Sequence, residues 1–326
     1  MLRCWNRRQP SVCRSTCRRI ERLRILLLGA NGQLGATLRR RLTSVGAIVC
    51  ATRDGYLTTG ATCEVADLAQ PASLAALVAR VKPDVVVNAA AYTAVDRAED
   101  EAQAAWMINA KAPAALAAAC AASSAALVHY STDYVFDGTE RSPYREDQPA
   151  APLNQYGASK LAGEDAIRNS GARHLILRTA GVYGLDGRNF LTKMLHAARS
   201  QQVLRVVDDQ IGGPTPAVVV AEATAQILAT GLPTLGIGHL VVNGQVSWYD
   251  FASELFAQAR VHGWLERAPE LQPIPTSLWP TRARRPAYSV LDNSRLQHSY
   301  GLILPQWREA LTEVLASRRP DDSHWT

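Results

Sequence analysis

Two residues one helical turn apart carry the clearest chemistry in this chain. Tyr156-Gly157-Ala158-Ser159-Lys160 reads Tyr-x-x-x-Lys within a stretch of helical pattern, so both side chains project from one face. A free tyrosine has a pKa of about 10, too high for ready proton exchange near neutrality, and a nearby ammonium stabilises the phenolate. Such a pair is equipped to protonate the oxygen that forms as hydride reaches a carbonyl carbon. Thr132, at the end of the run Val128-His129-Tyr130-Ser131, adds a hydroxyl that can hydrogen-bond the same oxygen, because open α/β sheets place ligands at the carboxyl ends of their strands. An isolated Tyr-x-x-x-Lys is more often an exposed helical pair, and its weight here comes from its surroundings.

The first of these surroundings is a glycine loop. Leu26-Leu27-Leu28 runs into Gly29-Ala30-Asn31-Gly32-Gln33-Leu34-Gly35, followed by a helical pattern with Leu38 and Leu42. Gly29 permits the tight turn, Gly32 lets the backbone approach a pyrophosphate, and Gly35 lets the helix pack on the strand, with the helix N-terminus facing the phosphates. A nucleotide cofactor is expected. At the end of the second strand, Thr52-Arg53 puts no acid where one would accept from the adenosine ribose, although Asp54 follows. Arg53 can pair with a 2′-phosphate, so NADPH is the expected cofactor with NADH kept open; a solvated Arg is the competing reading. Asp67-Leu68 is placed to flank the adenine, and Tyr156 and Lys160 the nicotinamide end, where Lys160 can also hold the ribose.

The elements that must position these groups follow a simple rhythm. From Leu23 onward, short β-branched or leucine-rich runs alternate with alanine-rich amphipathic stretches, which predicts an α/β fold with a doubly wound parallel sheet. Expected strands span 24–28, 47–52, 84–88, 125–131 and 174–178. A single long helix is expected over 99–122, with Asn109 facing inward to support the site. After Arg178, Gly and Pro punctuate the pattern, and a smaller C-terminal substrate-binding α/β unit is expected from near Gly181. Its expected elements are helices at 189–200, 216–230 and 248–262 and strands at 203–207 and 239–242. The expected division is an extension over 1–22, a nucleotide-binding unit over 23–180, a substrate-binding region over 181–317 that can interleave with the first, and a tail over 318–326.

Charge and cysteines narrow the class. The formal net charge of +6 sits in the first 22 residues, where seven arginines face only Glu21, so the remainder is balanced and nucleic-acid binding is set aside. That segment also holds Cys4, Cys13 and Cys17. It reads as a disordered extension or an upstream start, with a transit peptide as the competing reading. Cys50, Cys63 and Cys120 are scattered in apolar surroundings without metal-ligand spacing, which points to a reducing, cytoplasmic setting. No apolar run approaches the roughly 18 residues of a membrane-spanning helix.

Together these segments resemble the extended short-chain dehydrogenase/reductases and, within them, the reductases of dTDP-4-dehydrorhamnose. The likeness runs from about Leu23 to Leu315. Beyond Gly29–Gly35 it rests on Asn88-Ala89-Ala90-Ala91-Tyr92-Thr93-Ala94-Val95-Asp96, Ser131-Thr132-Asp133-Tyr134-Val135-Phe136, Pro152-Leu153-Asn154-Gln155-Tyr156-Gly157, Asp209-Gln210 with Gly213-Pro214-Thr215, and Arg285-Pro286. The resemblance implies that Thr132, Tyr156 and Lys160 are catalytic. It implies that Gly32, Gln33, Leu34, Asp67, Leu68, Ala89, Ala91, Thr93 and Tyr130 line the cofactor cleft, and that Thr132 and Asp133 touch the sugar. The reaction implied is reduction of the C4 keto group of dTDP-4-dehydro-L-rhamnose by NADPH or NADH, a step in making cell-surface polysaccharide such as O-antigen, by an enzyme that can pair as a homodimer.

Two departures from the family pattern matter. Where relatives commonly read Arg-Thr-Ser-Trp-Val-Tyr, this chain has Arg178-Thr179-Ala180-Gly181-Val182-Tyr183, so an aromatic face expected against the sugar is missing. Where some members carry acids for Mg²⁺ at a dimer contact, Arg199-Ser200-Gln201-Gln202 has none, and no metal is expected. Related dehydratases carry an Asp-Glu pair after the catalytic Thr, and epimerases carry small residues there. Asp133-Tyr134 matches neither, which favours reduction over elimination. The alternatives are a non-catalytic, NADP-binding regulatory subunit like that of methionine adenosyltransferase, which shares the Ser-Thr-Asp-Tyr-Val-Phe-Asp-Gly run, and a reductase of another nucleotide keto-sugar.

Overall fold

In the computed structural model residues 22–231 and 236–318 are described; the expected N-terminal extension, apart from Arg22, and the tail beyond Arg318 lie outside them. The first half of the chain runs β1 (Leu23–Leu28), α1 (Gln33–Arg41), β2 (Gly46–Thr52), β3 (Glu64–Val65), α2 (Ala72–Val81), β4 (Val85–Asn88), α3 (Ala102–Trp106), a π-helical turn (Met107–Lys111), α4 (Ala112–Ser123), β5 (Ala126–Thr132), α5 (Gln155–Arg168) and β6 (His174–Thr179). The second half runs α6 (Phe190–Ser200), β7 (Val203–Val207), β8 (Ile211–Gly212), α7 (Ala217–Ala229), β9 (Gly236–His239), β10 (Val246–Ser247), α8 (Trp248–Val261), β11 (Glu270–Ile274), α9 (Ser294–Tyr300) and α10 (Trp307–Ala316).

Seven parallel strands form the main sheet in the order β3-β2-β1-β4-β5-β6-β9. Alternate residues of each strand feed opposite faces, as the two-residue repeat requires. Ile25, Leu27, Val85, Val87 and Val128 pack with Leu38 and Leu42 of the α1 side and Val220 and Ile227 of α7. Leu26, Leu28, Val86, Leu127 and Ile176 pack with Leu74, Leu77 and Val78 of α2, Leu116 and Cys120 of α4, and Ile167 of α5. Helices thus cover both faces, and the strand order reverses between β1 and β4, where such sheets open a crevice. The chain after residue 181 is shared between two places: α7 and β9 complete the main sheet, while β7 pairs with β11 and β8 with β10.

Two expected elements need correction. The single helix over 99–122 is instead a short 3₁₀ turn (Arg97–Glu99), α3, the π-helical turn and α4. Pro113 is the cause: it has no N–H for the carbonyl of Asn109 four residues earlier, and its ring crowds that carbonyl, so the turn widens. The strand expected over 239–242 lies at 236–239, because β6 ends at Thr179 and offers no partner beyond Leu240; the amide of Val242 goes to Thr215 Oγ1 instead.

Candidate active site

The carboxyl ends of β1, β4, β5 and β6 open into a cavity of about 720 Å³. The glycine loop forms one rim. Gly29 has φ +76°, and a Cβ there would crowd the Ala90 backbone at 2.8 Å, while a Cβ at Gly35 would overlap the Gly29 carbonyl. Gly29 therefore makes the turn at the rim of the cavity, which it lines, whereas Gly35 packs helix on strand away from the cavity. Gly32, Gln33 and Leu34 do line it, with Ala89, Ala91 and Thr93 opposite.

Gly32 caps α1 with no side-chain hydrogen bond, so the first amides of α1 remain open to an anion. Gln33 Nε2, Ser131 Oγ and Thr179 Oγ1 are buried without partners, and all three residues line the cavity. Unpaired polar atoms beside an uncapped helix end fit a bound dinucleotide, whose phosphates and hydroxyls would satisfy them.

Of the other expected cofactor residues, Arg53, Asp67 and Leu68 do not line the cavity. Asp67 is folded onto its own turn, accepting from Ala69 N at 3.0 Å and Gln70 Nε2 at 3.3 Å, and Leu68 is buried in the core. Arg53 is exposed at the end of β2. The neighbouring Asp54 accepts from Thr52 Oγ1 at 3.0 Å and Tyr56 N at 3.3 Å, contacts that hold its carboxyl below the usual range.

Helix α5 delivers the proton-handling groups, and two glycines decide where it sits. Asn154 caps it, accepting from Gly157 N at 2.8 Å. A Cβ on Gly157 would overlap the carbonyl oxygen of Tyr134, and one on Gly163 would overlap that of Asn109 in the π-helical turn. The helix is therefore pressed against the turn after β5 at one end and against the widened helix at the other. Asn109 ties the arrangement together: it accepts from Tyr92 N at 2.9 Å and donates to Tyr92 O at 3.0 Å and Ser159 Oγ at 3.1 Å.

Tyr156 and Lys160 both line the cavity beside Thr132 and Asp133. Burial pushes the Tyr156 phenol up to about 12, while its hydrogen bond with Thr132 lowers it and the Asp133 charge raises it. Thr132 Oγ1 donates to Asp133 Oδ1 at 3.0 Å and accepts from Tyr134 N at 3.1 Å. Burial also raises the Asp133 carboxyl to about 6, against hydrogen bonds from Ser289 and Thr132. Lys160 is lowered to about 8 by burial, with the Glu164 charge opposing. Tyr130 lines the cavity, but its hydroxyl lies 2.7 Å from Thr224 Oγ1 in α7. Among the described residues, no group of three or more His, Cys, Asp or Glu is placed to hold a metal, and no helix is long and apolar enough to cross a membrane.

The far wall comes from Thr179–Val182, Arg188, Gln210–Pro214, Trp248 and Ser289, most of which sequence reasoning left without a role. The signals the sequence did carry were Gly181 and the segment Asp209-Gln210 with Gly213-Pro214-Thr215. At Gly181, φ is +49°, and a Cβ would lie 3.1 Å from Trp248 Cη2 and 3.2 Å from Pro214 Cα. Space that an aromatic residue at 181 would need is already bounded by Trp248, which packs on Phe190 at 4.5 Å between ring centroids.

A family model described as the RmlD substrate binding domain matches residues 23–319. The chain is similar to a dTDP-4-dehydrorhamnose reductase of Burkholderia thailandensis, 46% identical over 298 residues that cover 89% of this chain and 97% of that protein. It is 41% identical over 296 residues to one of Salmonella typhimurium, covering 90% and 97%. Among solved structures it resembles the dTDP-4-dehydrorhamnose reductase of Bacillus anthracis in complex with NADP, with TM-score 0.82 and 31% identity over 91% of this chain and 100% of that one.

Proposed function

The chain belongs to the dTDP-4-dehydrorhamnose reductase family, and on that premise we propose that it reduces the C4 keto group of dTDP-4-dehydro-L-rhamnose to dTDP-L-rhamnose with NADPH or NADH. The observation that carries this reading is the convergence of Thr132, Tyr156 and Lys160 on one cavity whose opposite rim is the glycine loop.

In this reading Gly32, Gln33 and Leu34 hold the pyrophosphate at the N-terminus of α1, and the bound dinucleotide supplies the hydride. Thr132 and Tyr156 hold the keto oxygen between two hydroxyls. Tyr156 gives that oxygen its proton, and the raised phenol suits an acid that must stay protonated until charge develops on the substrate. Lys160, when it carries its proton, stabilises the phenolate left behind. Asp133, buried beside Thr132, accepts hydrogen bonds from the sugar. Tyr134, on the other side of Asp133, supplies no second carboxylate for elimination, which supports reduction. Among the described residues Cys50, Cys63 and Cys120 are free thiols, which supports a cytoplasmic setting.

The test is loss of NADPH absorbance when the purified protein meets the keto-sugar nucleotide generated in situ. Turnover with release of dTDP-rhamnose is expected. Binding of NADPH without turnover would replace this reading with that of a regulatory subunit.

A further inference from the structure

Lys160 is flanked on its inner side by groups that proton delivery to the substrate does not itself require. Its Nζ lies 2.6 Å from the Tyr130 carbonyl oxygen and 3.1 Å from His129 Nε2. On the other edge of that ring, His129 Nδ1 lies 3.1 Å from Asn88 Nδ2, and Asn88 Oδ1 accepts from the backbone N–H of Ala90 at 3.2 Å. Asn88, His129 and Lys160 are each 1% exposed, so water does not repair a mismatch among them.

The direction of donation can be followed inward from the backbone. The Ala90 amide is always a donor, so it turns Asn88 Oδ1 toward itself and leaves Asn88 Nδ2 to donate to His129 Nδ1. Nδ1 must then accept, which places the ring hydrogen on Nε2, facing Lys160. An Nε2–H needs a lone pair on Nζ, and only the neutral amine has one; the amine still donates to the Tyr130 carbonyl. With an ammonium, two donors would face each other at one contact in this buried chain.

We infer that His129, oriented by Asn88, is a positioning residue for the proton-delivery pair, presenting an N–H to Lys160 and so weakening the hold of the lysine on its proton. The inference rests on the proposed roles of Tyr156 and Lys160. Burial, with the Lys160 charge added, holds His129 well below the usual histidine range, so its ring is neutral. The other groups facing Lys160 act differently. Glu164, one turn on along α5, favours the ammonium but is itself paired with Arg178 from β6, and Tyr156 lies one turn earlier with Asp133 beyond it. The outcome is a lysine able to exchange its proton near neutrality, which lets it resupply Tyr156 between turnovers.

Asn88→Asp tests this with little change of shape. The carboxylate still accepts from Ala90 N, but it would now accept from Nδ1–H as well, moving the ring hydrogen to Nδ1 and turning Nε2 into an acceptor for the ammonium. Nitrogen-15 NMR of the histidine ring in the full chain should show the neutral Nε2–H form in the parent and Nδ1–H in the variant. The basic limb of the kcat/KM profile for NADPH oxidation should move upward by about one pH unit. If Asn88→Asp does not fold, His129→Gln, whose amide oxygen can turn toward Nζ, should move the limb in the same direction. An Nδ1–H ring in the parent, or a limb that stays in place in a folded variant, overturns the inference. A chain that reduces no keto sugar would undo the proposed function, while the tautomer measurement would still decide the role of His129.

Discussion

Glu164→Gln probes the buried end of the charge arrangement that serves Lys160. Glu164 is fully buried and Arg178 is 3% exposed. The guanidinium Nε donates to the two carboxylate oxygens at 3.0 and 3.2 Å, and Nη2 donates to Oε2 at 2.6 Å. Gln keeps the volume and one acceptor but removes the charge and sets an amide NH₂ against guanidinium donors. Arg178 has no reserve partner, since its Nη1 is buried and unpaired. Its position over Phe136, 5.1 Å from the ring centroid, is present with either residue and offsets nothing.

Leaving one member of a buried pair uncompensated costs about 3–5 kcal/mol. For a chain of this size that is a fall in melting temperature of about 5–10 °C, readable by calorimetry or circular dichroism. A second readout follows from the position of Glu164 one turn beyond Lys160. The Glu164 charge raises the affinity of Lys160 for its proton, so removing it lets the proton leave at lower pH. The basic limb of the activity profile should then move down, the opposite of the shift expected for Asn88→Asp. A melting temperature within about 2 °C of the parent, together with an unmoved limb, would show that Arg178 is compensated by something other than Glu164 and would refute this account.

Tyr156→Phe should lower single-turnover NADPH oxidation about a hundredfold or more while cofactor affinity by fluorescence titration holds; turnover within a few-fold of the parent would remove Tyr156 from the chemistry. Gly163→Ala should destabilise by about 1–3 kcal/mol in urea unfolding, because the Cβ overlaps the Asn109 carbonyl, and this outweighs the gain of about 1 kcal/mol in helix propensity; a stabilised variant would contradict the close approach. For Asp133, burial raises the folded-state carboxyl from 3.8 to about 6. The folded state therefore binds more protons across that window, and stability falls as pH rises through it. Asp133→Asn should be more stable than the parent by about 1–3 kcal/mol above pH 6, with the advantage gone near pH 4 by denaturant titration, and equal stability at both would show the carboxylate is not strained.

The strands were legible because each is a short β-branched or leucine-rich run bounded by turn residues, and β1, β2, β4, β5 and β6 fall within a residue or so of expectation. The break in the helix around Asn109 was not, because Pro113 stands among alanines whose propensity argues for a continuous helix. Local pattern found Tyr156, Thr132 and the glycine loop, since each lies at or beside an element boundary where residue type has a mechanical meaning, and Lys160 through its spacing of one helical turn from Tyr156. It found Gln210 of the far wall only as part of a motif without a role, and it did not find Arg188 or Ser289, which meet residues distant along the chain. His129 was hidden differently: inside the run Ala126–Thr132 it looks like any residue of a buried strand, and only the donors around it give it a role.

That role also explains why the proton chemistry is spread over so many elements. Tyr156, Lys160 and Glu164 stand four residues apart on one stripe of α5, and each reaches a different partner: Thr132 at the end of β5, His129 within β5, and Arg178 on β6. Gly157 and Gly163 let α5 press closely against the turn after β5 and against the π-helical turn, which sets where the stripe lies. The same approach helps bury these groups, and burial shifts Tyr156 up and Lys160 down. A helix held farther out would leave the lysine solvated and holding its proton at the usual strength, with no neutral partner able to adjust it. The closeness that the two glycines permit is therefore part of the chemistry as well as of the packing, and substitutions at Gly163, Asn88 and Glu164 can alter proton delivery without touching the substrate.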